Sequence, residues 1–406
     1  MAANFLHGVE TIEIDKGPRA VRLVKSSVVG LVGTAVAGAI NEPILVTREA
    51  DFAQFGEDSG PYTIVRELKR LFAQKPTVCI VVNVHDPVKH AVTPAGSADV
   101  IGTIDSVTGK RTGMQAFKDC YQLFGFFPKI LIAPGFSSLA PVSTALTTIA
   151  TAIRAVTFFD APVGITVQQA ISGRGPAGTI NFNTSSDRAG LCYPMVKMFN
   201  PAADAGVGEI ELANLSTVIA GAWSRRDQEN GYWWSGSNLE LLNVLGVERH
   251  IEAMINDPNS EANLLNEAGI ITVFNSFGTG IRSWGNRSAA WPINTSQKNF
   301  LNVRRTFDVI MESMELSTLQ YLDRPLDNAV IDDILESGNR FLRHQQANGA
   351  IAGGKVWLNK DLNPPESLAN GHLIPSVEFA PYSPLERVTY QSEINIEYLR
   401  GLVGKQ

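Results

Sequence analysis

The chain has 406 residues, 44% of them hydrophobic, enough for a sizeable core in about two or three domains. Only 18% are charged, and the net charge of −6 comes without a basic block, which argues against a nucleic-acid binder. Cys79, Cys120 and Cys192 form an odd, sparse set that reads as reduced thiols of a cytosolic protein, not a disulfide framework.

The start, MAANFLHGVE, lacks the basic-then-apolar pattern of a signal peptide. The longest uncharged apolar run, Val28 to Ile40, is glycine-rich and shorter than the about 20 residues that span a bilayer. The expectation is a soluble protein made in the cytoplasm, with no membrane insertion. Residues 8–24 alternate loosely, with Val9, Ile12 and Ile14 and then Val21 and Leu23 after a Gly17-Pro18 break, and predict an exposed strand. From 25 to about 272, apolar strands alternate with helices. PILVT (43–47), TVCIVVNV (77–84), KILIAPG and AVTFFDAP read as strands. YTIVRELKRLFAQ (62–74), MQAFKDCYQLFG and SLAPVSTALTTIATAIR read as helices. This rhythm predicts a parallel sheet covered on both faces. DVIGTIDSVTGKRTG (99–113) interrupts it and reads as a hairpin turning at Thr108-Gly109.

From about 276 the pattern changes. Phe300, Val303, Phe307, Ile310 and Met314 fall at helical spacing and predict one helix ending before Pro325. Asp327 is a good N-cap for a second helix, closed by Asn348-Gly349. AIAGGKVWL and HLIPSVEFAP then read as strands. The end, RVTYQSEINIEYLRGLVGKQ, places Val388, Tyr390, Ile394, Ile396 and Tyr398 in strict alternation with polar residues. That is the period of a half-buried strand, and such a strand needs a partner for its backbone.

The search for chemistry yields weak signals. GRGPAG places Gly173, Gly175 and Gly178 in a G-x-G-x-x-G pattern, but Pro176 interrupts it and no helix pattern follows. A loop is preferred there; a nucleotide or sugar-phosphate site is the alternative. HDPVKH offers His85, Asp86 and His90, but the spacing does not align two imidazoles on a helix and no further cluster supports a metal. VTGKRTG has the wrong glycine spacing for a phosphate loop. Ser137 and Ser138 lack the second glycine of a nucleophile elbow. Cys192 has no nearby histidine in sequence, and Asp119, Asp160 and Asp187 are dispersed. Tyr232, Trp233 and Trp234 read first as packing and second as a sugar or peptide groove. Arg304 and Arg305 sit near Asp308 and Glu312 at helical spacing, or face an acidic partner. The expectation is no catalytic residue, no cofactor and no metal: a structural protein and not an enzyme.

Several stretches together carry a resemblance: LHGVETIEIDKGPRAVRLVKSSVVGLVGTA, GKRTGMQAFKDCYQLFGFFPKILIAPGFSS, GIRSWGNRS, FLNVRRTFDVI, LDRPLDNAVIDDILESGNRFLR and GAIAGGKVWL with NPPESLANGHL. In this order they resemble the contractile tail sheath proteins of myophages and R-type tailocins. The resemblance implies an α/β plus α+β fold. An outer α/β domain with a largely parallel sheet (25–275) is inserted into a smaller tube-proximal α+β domain (276–385). The N-terminal arm and start of that smaller domain span 1–24, and a C-terminal arm strand spans 386–406.

The resemblance also implies a homo-oligomer of stacked hexameric rings around a tail tube protein, with baseplate and tail terminator proteins as further partners. Assembly in the bacterial cytoplasm precedes residence in a virion or tailocin particle. Contraction needs no nucleotide hydrolysis. The arm strands, Val9, Ile12 and Ile14 at one end and Val388, Tyr390, Ile394, Ile396 and Tyr398 at the other, would pair in neighbouring copies. Hinges at Gly17-Pro18, Pro381 and Pro384 would let rigid bodies rotate. Arg304, Arg305, Arg340 and Arg343 are the candidates for facing the tube. The rival readings are an α/β enzyme binding a nucleotide or sugar phosphate near Gly173–Gly178, and a host-surface binding module using the tryptophans.

Overall fold

The computed structural model describes residues 21–174, 182, 184–203, 207–276 and 278–402. In chain order the body begins with β1 (Val29–Gly33), β2 (Pro43–Val46), α1 (Ile64–Phe72) and β3 (Cys79–Asn83). Then come α2 (Ser97–Ile101), α3 (Cys120–Phe124), β4 (Ile130–Ile132), α4 (Ala140–Ala152), β5 (Val156–Asp160), α5 (Val167–Ser172) and β6 (Ala189–Cys192). β7 (Val196–Asn200), β8 (Glu209–Ala213), α6 (Leu215–Glu229), β9 (Val244–Val247), α7 (Glu261–Glu267), β10 (Ile270–Ser276) and β11 (Gly280–Trp284) complete it.

Eight strands form one sheet in the order β11-β10-β6-β5-β4-β1-β3-β2. The six inner strands are parallel, and β11 and β2 close the edges antiparallel. Every residue of β1, β3 and β5 is buried, which is why these strands read as unbroken apolar runs. Edge strand β2 opens on Pro43, which has no N–H to give to a ladder. Leu68 and Leu71 of α1 and Val218, Ile219 and Trp223 of α6 fill one face, together with Val196 and Met198 of a small antiparallel sheet, β8-β7-β9. Val100, Leu146, Ile149, Ala170 and Leu265, from α2, α4, α5 and α7, fill the other. The expected hairpin appears as an isolated bridge between Ile104 and Arg111, with Gly109 at φ +70°.

A second unit follows: α8 (Leu301–Thr318), α9 (Asn328–Ala347), β12 (Ile351–Leu358), α10 (Pro365–Ala369) and β13 (Pro375–Pro381). Asp327 caps α9 as expected, its carboxylate accepting the Val330 N–H at 2.8 Å, and Gly349 ends the helix at φ +78°. Ile310, Phe341, Leu342, Ile351 and Val356 form the unit's core, with Val21 from the other end of the chain packed against it. Val24 joins it there, packing beside Tyr232, Val309 and Ala350 and donating its N–H to Ser313 Oγ at 3.1 Å.

The terminal strand expected over 388–398 is not formed within the chain. Residues 382–395 carry no helix or strand, and Ile396–Leu402 is a 3-10 turn. Alternation supplies a face to bury, not something to bury it against, and none of the described strands takes this segment as a neighbour. Val9, Ile12 and Ile14 lie outside the described residues.

Candidate assembly surfaces

The chemistry-bearing motifs resolve into local packing. Gly173 follows α5 instead of opening a helix, and Gly175 and Gly178 lie outside the described residues. Arg174, within the same motif, donates all five of its N–H groups to carbonyls: Ala268, Phe182, Thr184, Ala289 and Trp291. His85 and His90 do meet, with ring centroids 5.5 Å apart, and His90 Nδ1 accepts the Asp86 N–H at 2.9 Å. Among the described residues no group of three or more His, Cys, Asp or Glu could hold a metal ion.

The three thiols are buried, and burial pushes each of them up, Cys120 to about 12. At the C-terminal ends of the parallel strands, where doubly wound sheets hold ligands, Asp160 is used internally. It accepts from the Ser216 N–H at 2.8 Å and from Ser137 Oγ at 3.2 Å. Tyr232 is buried, with its hydroxyl on Gln345 at 2.9 Å, and Asn302 reaches the Trp233 carbonyl at 2.9 Å. The aromatic cluster therefore fastens α6 to the second unit; Trp234 alone is exposed.

That fastening extends along α8, which lays an acidic stripe against the body. Asp308 pairs with Arg188 at 3.0 Å, Glu312 with Lys129 at 2.5 Å and Glu315 with Arg154 at 2.7 Å. Burial pulls the Lys129 ammonium below the usual lysine range, with Glu312 acting against it. Arg304 bonds Asp308 at 3.2 Å and Asp187 at 3.3 Å, and Arg305 bonds Asp227 at 2.8 Å. Both arginines are thus occupied within the chain. Arg343 pairs with Glu336 at the surface, and Arg340 is exposed. A groove of about 600 Å³ lies between residues 22–25, the segment 121–129 that runs from α3 to β4, and α8, with Lys25 over the Phe126 ring.

Near the C-terminus two features are left without a partner among the described residues. The first is the C-terminal segment, where Tyr390 and Ile394 are 89% and 92% exposed. From Arg387 to Leu402 its hydrogen bonds and ion pairs are local ones, Glu397 N–H to Asn395 and Arg400 to Glu397. The second is the β12–β13 hairpin, a sheet of two strands. Asn339 of α9 closes the outer edge of β12 by bonding both the N–H and the C=O of Val356 at 2.8 Å. Among the described residues no strand lies against the outer edge of β13.

The signals sequence reasoning missed are the partners of Lys129, Arg174, Arg188 and Arg287. Their bonds connect residues up to 183 positions apart, so no local spacing reveals them.

Residues 109–289 match the family model for the phage tail sheath protein central domain, and residues 294–395 that for the phage tail sheath C-terminal domain. The chain is 42% identical to the tail sheath protein of Burkholderia phage BcepMu, with 100% of each chain covered. It is 26% identical to the tail sheath protein of Escherichia phage P2, covering 99% of this chain and 98% of that one. Its fold matches the contracted helical sheath of the anti-feeding prophage with a TM-score of 0.69 at 17% identity, covering 97% of this chain and 100% of that chain. Two adjoining family models and a full-length relative at this identity establish that the chain belongs to the phage tail sheath protein family.

Proposed function

We propose that this protein is the repeating subunit of a contractile sheath, stacked in hexameric rings around a tail tube and linked to neighbouring copies through its two ends. The observation that carries this reading is the exposed, alternating C-terminal segment beside a hairpin with one open edge. A two-stranded hairpin is marginal alone, and an open edge is a template for a strand from another chain. A segment of Val388–Tyr398 length gains about 0.5–1.5 kcal/mol per backbone hydrogen bond and about 1.5–3 kcal/mol per large apolar side chain it buries. Ordering it costs about 1–2 kcal/mol per residue. The net per link is modest, and head-to-tail links that do not close multiply it along a helical tube.

The packing of Val21 and Val24 on the second unit supports an insertion arrangement, with the chain entering and leaving through the tube-proximal unit and the α/β body between. Contraction then draws on new contacts between copies and needs no nucleotide. With Arg304 and Arg305 occupied internally, Arg340 and Arg343 on α9 are the better candidates for the tube.

Negative-stain microscopy of full-length chain and of chain lacking 388–406 tests the proposal. Hollow cylinders from the first and folded, dispersed particles from the second are expected. Normal cylinders from the truncated chain would refute the arm link.

A further inference from the structure

The C-terminal segment is exposed, but its root is held. Gln297 Nε2, just ahead of α8, donates to the Pro381 carbonyl at 2.9 Å and to Ser383 Oγ at 2.8 Å. Five residues after Pro381, Glu386 receives a two-pronged ion pair from Arg287, at 3.0 Å from Nε and 2.5 Å from the terminal nitrogen. Arg287 is itself fixed. Its guanidinium lies 4.1 Å from the Trp291 ring centroid and 3.8 Å from that of Phe300, and its remaining nitrogen donates to Asn299 Oδ1 at 2.5 Å. Most of its side chain is out of water, at 15% exposure, whereas Glu386 is half exposed. An arginine immobilised between two rings presents its fork in one direction. Beyond Glu386 no described residue of the segment bonds to the body.

We infer that Arg287 is the anchor that fixes where, and in which direction, the C-terminal arm leaves the subunit. The inference rests on the proposal that this arm links to a neighbouring copy. Arg287 lies between β11 and α8, at the junction of the two units, and pairs across it with Phe300 in an isolated bridge. The arm is thereby tied to the junction as well as to the end of its own hairpin. Anchoring at Glu386 takes residues 382–386 out of the free tether. A shorter, directed tether raises the effective concentration of the arm at a neighbour's sheet edge. It also carries any tilt of the subunit body to the link. Arg287 is thus a positioning residue for assembly.

Charge reversal tests this in the full-length chain. Arg287→Glu and Glu386→Arg should each lose tubes in negative-stain micrographs, and the double reversal should regain them. Glu386→Arg, at a half-exposed position, keeps the test informative where Arg287→Glu disturbs its ring pocket. A structural readout accompanies it: spin labels at Asp332→Cys and Thr389→Cys, with the three native thiols buried. The distance distribution should be narrow in the parent and the double reversal and broad in each single one. Normal tubes from both single reversals, while the chain lacking 388–406 makes none, would overturn the anchor and leave the arm link standing. Failure of the double reversal to restore tubes overturns the anchor as well. Normal tubes from the truncated chain overturn both.

Discussion

Arg305 on α8 and Asp227 on α6 form a two-pronged ion pair, at 2.8 and 2.5 Å, with side chains 4% and 1% exposed. The same guanidinium donates to the Ser26 carbonyl at 3.1 Å and lies 5.2 Å from the Trp223 ring centroid. One residue pair therefore joins the second unit, the body and the entering chain. Breaking a buried pair leaves an uncompensated charge, which costs about 3–5 kcal/mol. Arg305→Met and Asp227→Leu should each lose that much stability in urea titrations, and the double variant should lose less than either. A double variant as unstable as the sum would show that the pair's charges are not coupled.

Gly338 on α9 inverts the usual helix rule. In an exposed helix, glycine to alanine gains about 1 kcal/mol. Here an added Cβ would stand 2.9 Å from Val356 Cγ2 and 3.2 Å from Met314 Cε, because α9 approaches β12 at this point. Gly338→Ala should therefore cost about 1–3 kcal/mol, and Val356→Ala should return part of it by removing the blocking methyl groups. A thermal melt showing Gly338→Ala more stable than the parent would reject the close approach.

The contrast between these two sites shows what the sequence could disclose. Three of the parallel strands, β3, β4 and β5, were legible because burial on both faces writes an unbroken apolar run, as in Cys79–Asn83. α8 and α9 were legible from spacing and the Asp327 cap. The strands β6 to β9 were not: each has four or five residues, and β8 carries Glu209 and Glu211. α6 hid its burial behind Ser216, Thr217, Ser224 and Arg225, polar side chains that are nonetheless buried. Arg304 with Asp308 followed the helical spacing, whereas the partner of Arg305 lies 78 positions away. The alternation at the C-terminus marked a face to be covered but could not name its cover.

Arg174 satisfies five backbone carbonyls with one guanidinium, and burial pulls it down to about 10. Lysine has three donors on a single nitrogen and cannot span the same fork. Arg174→Lys should leave buried carbonyls unmet, at about 1–3 kcal/mol for each unsatisfied group. The variant's urea midpoint should fall well below the parent's. Gly173→Ala, next to it, should change assembly little. A lysine variant of unchanged midpoint would show that the carbonyls find other donors.

Asp160 gives a pH signature of known sign. Its carboxyl is buried at the C-terminal end of β5, and burial pushes it up to about 6 from 3.8, against the hydrogen bonds from Ser216 and Ser137. The folded state then holds this proton more tightly than the unfolded chain. Its contribution to stability is full below pH 3.8 and is lost as pH rises through about 6. Moving the carboxyl from 3.8 to about 6 corresponds to roughly 3 kcal/mol. Asp160→Asn keeps an oxygen for the Ser216 N–H and carries no titrating proton. The stability of the parent minus that of Asp160→Asn, from urea titrations, should therefore fall by roughly 2–3 kcal/mol between pH 4 and pH 7. A difference that stays level across that range would mean the carboxylate is ionised throughout, with the hydrogen bonds to Ser216 and Ser137 outweighing its burial. A rising difference would place the shift in the opposite direction.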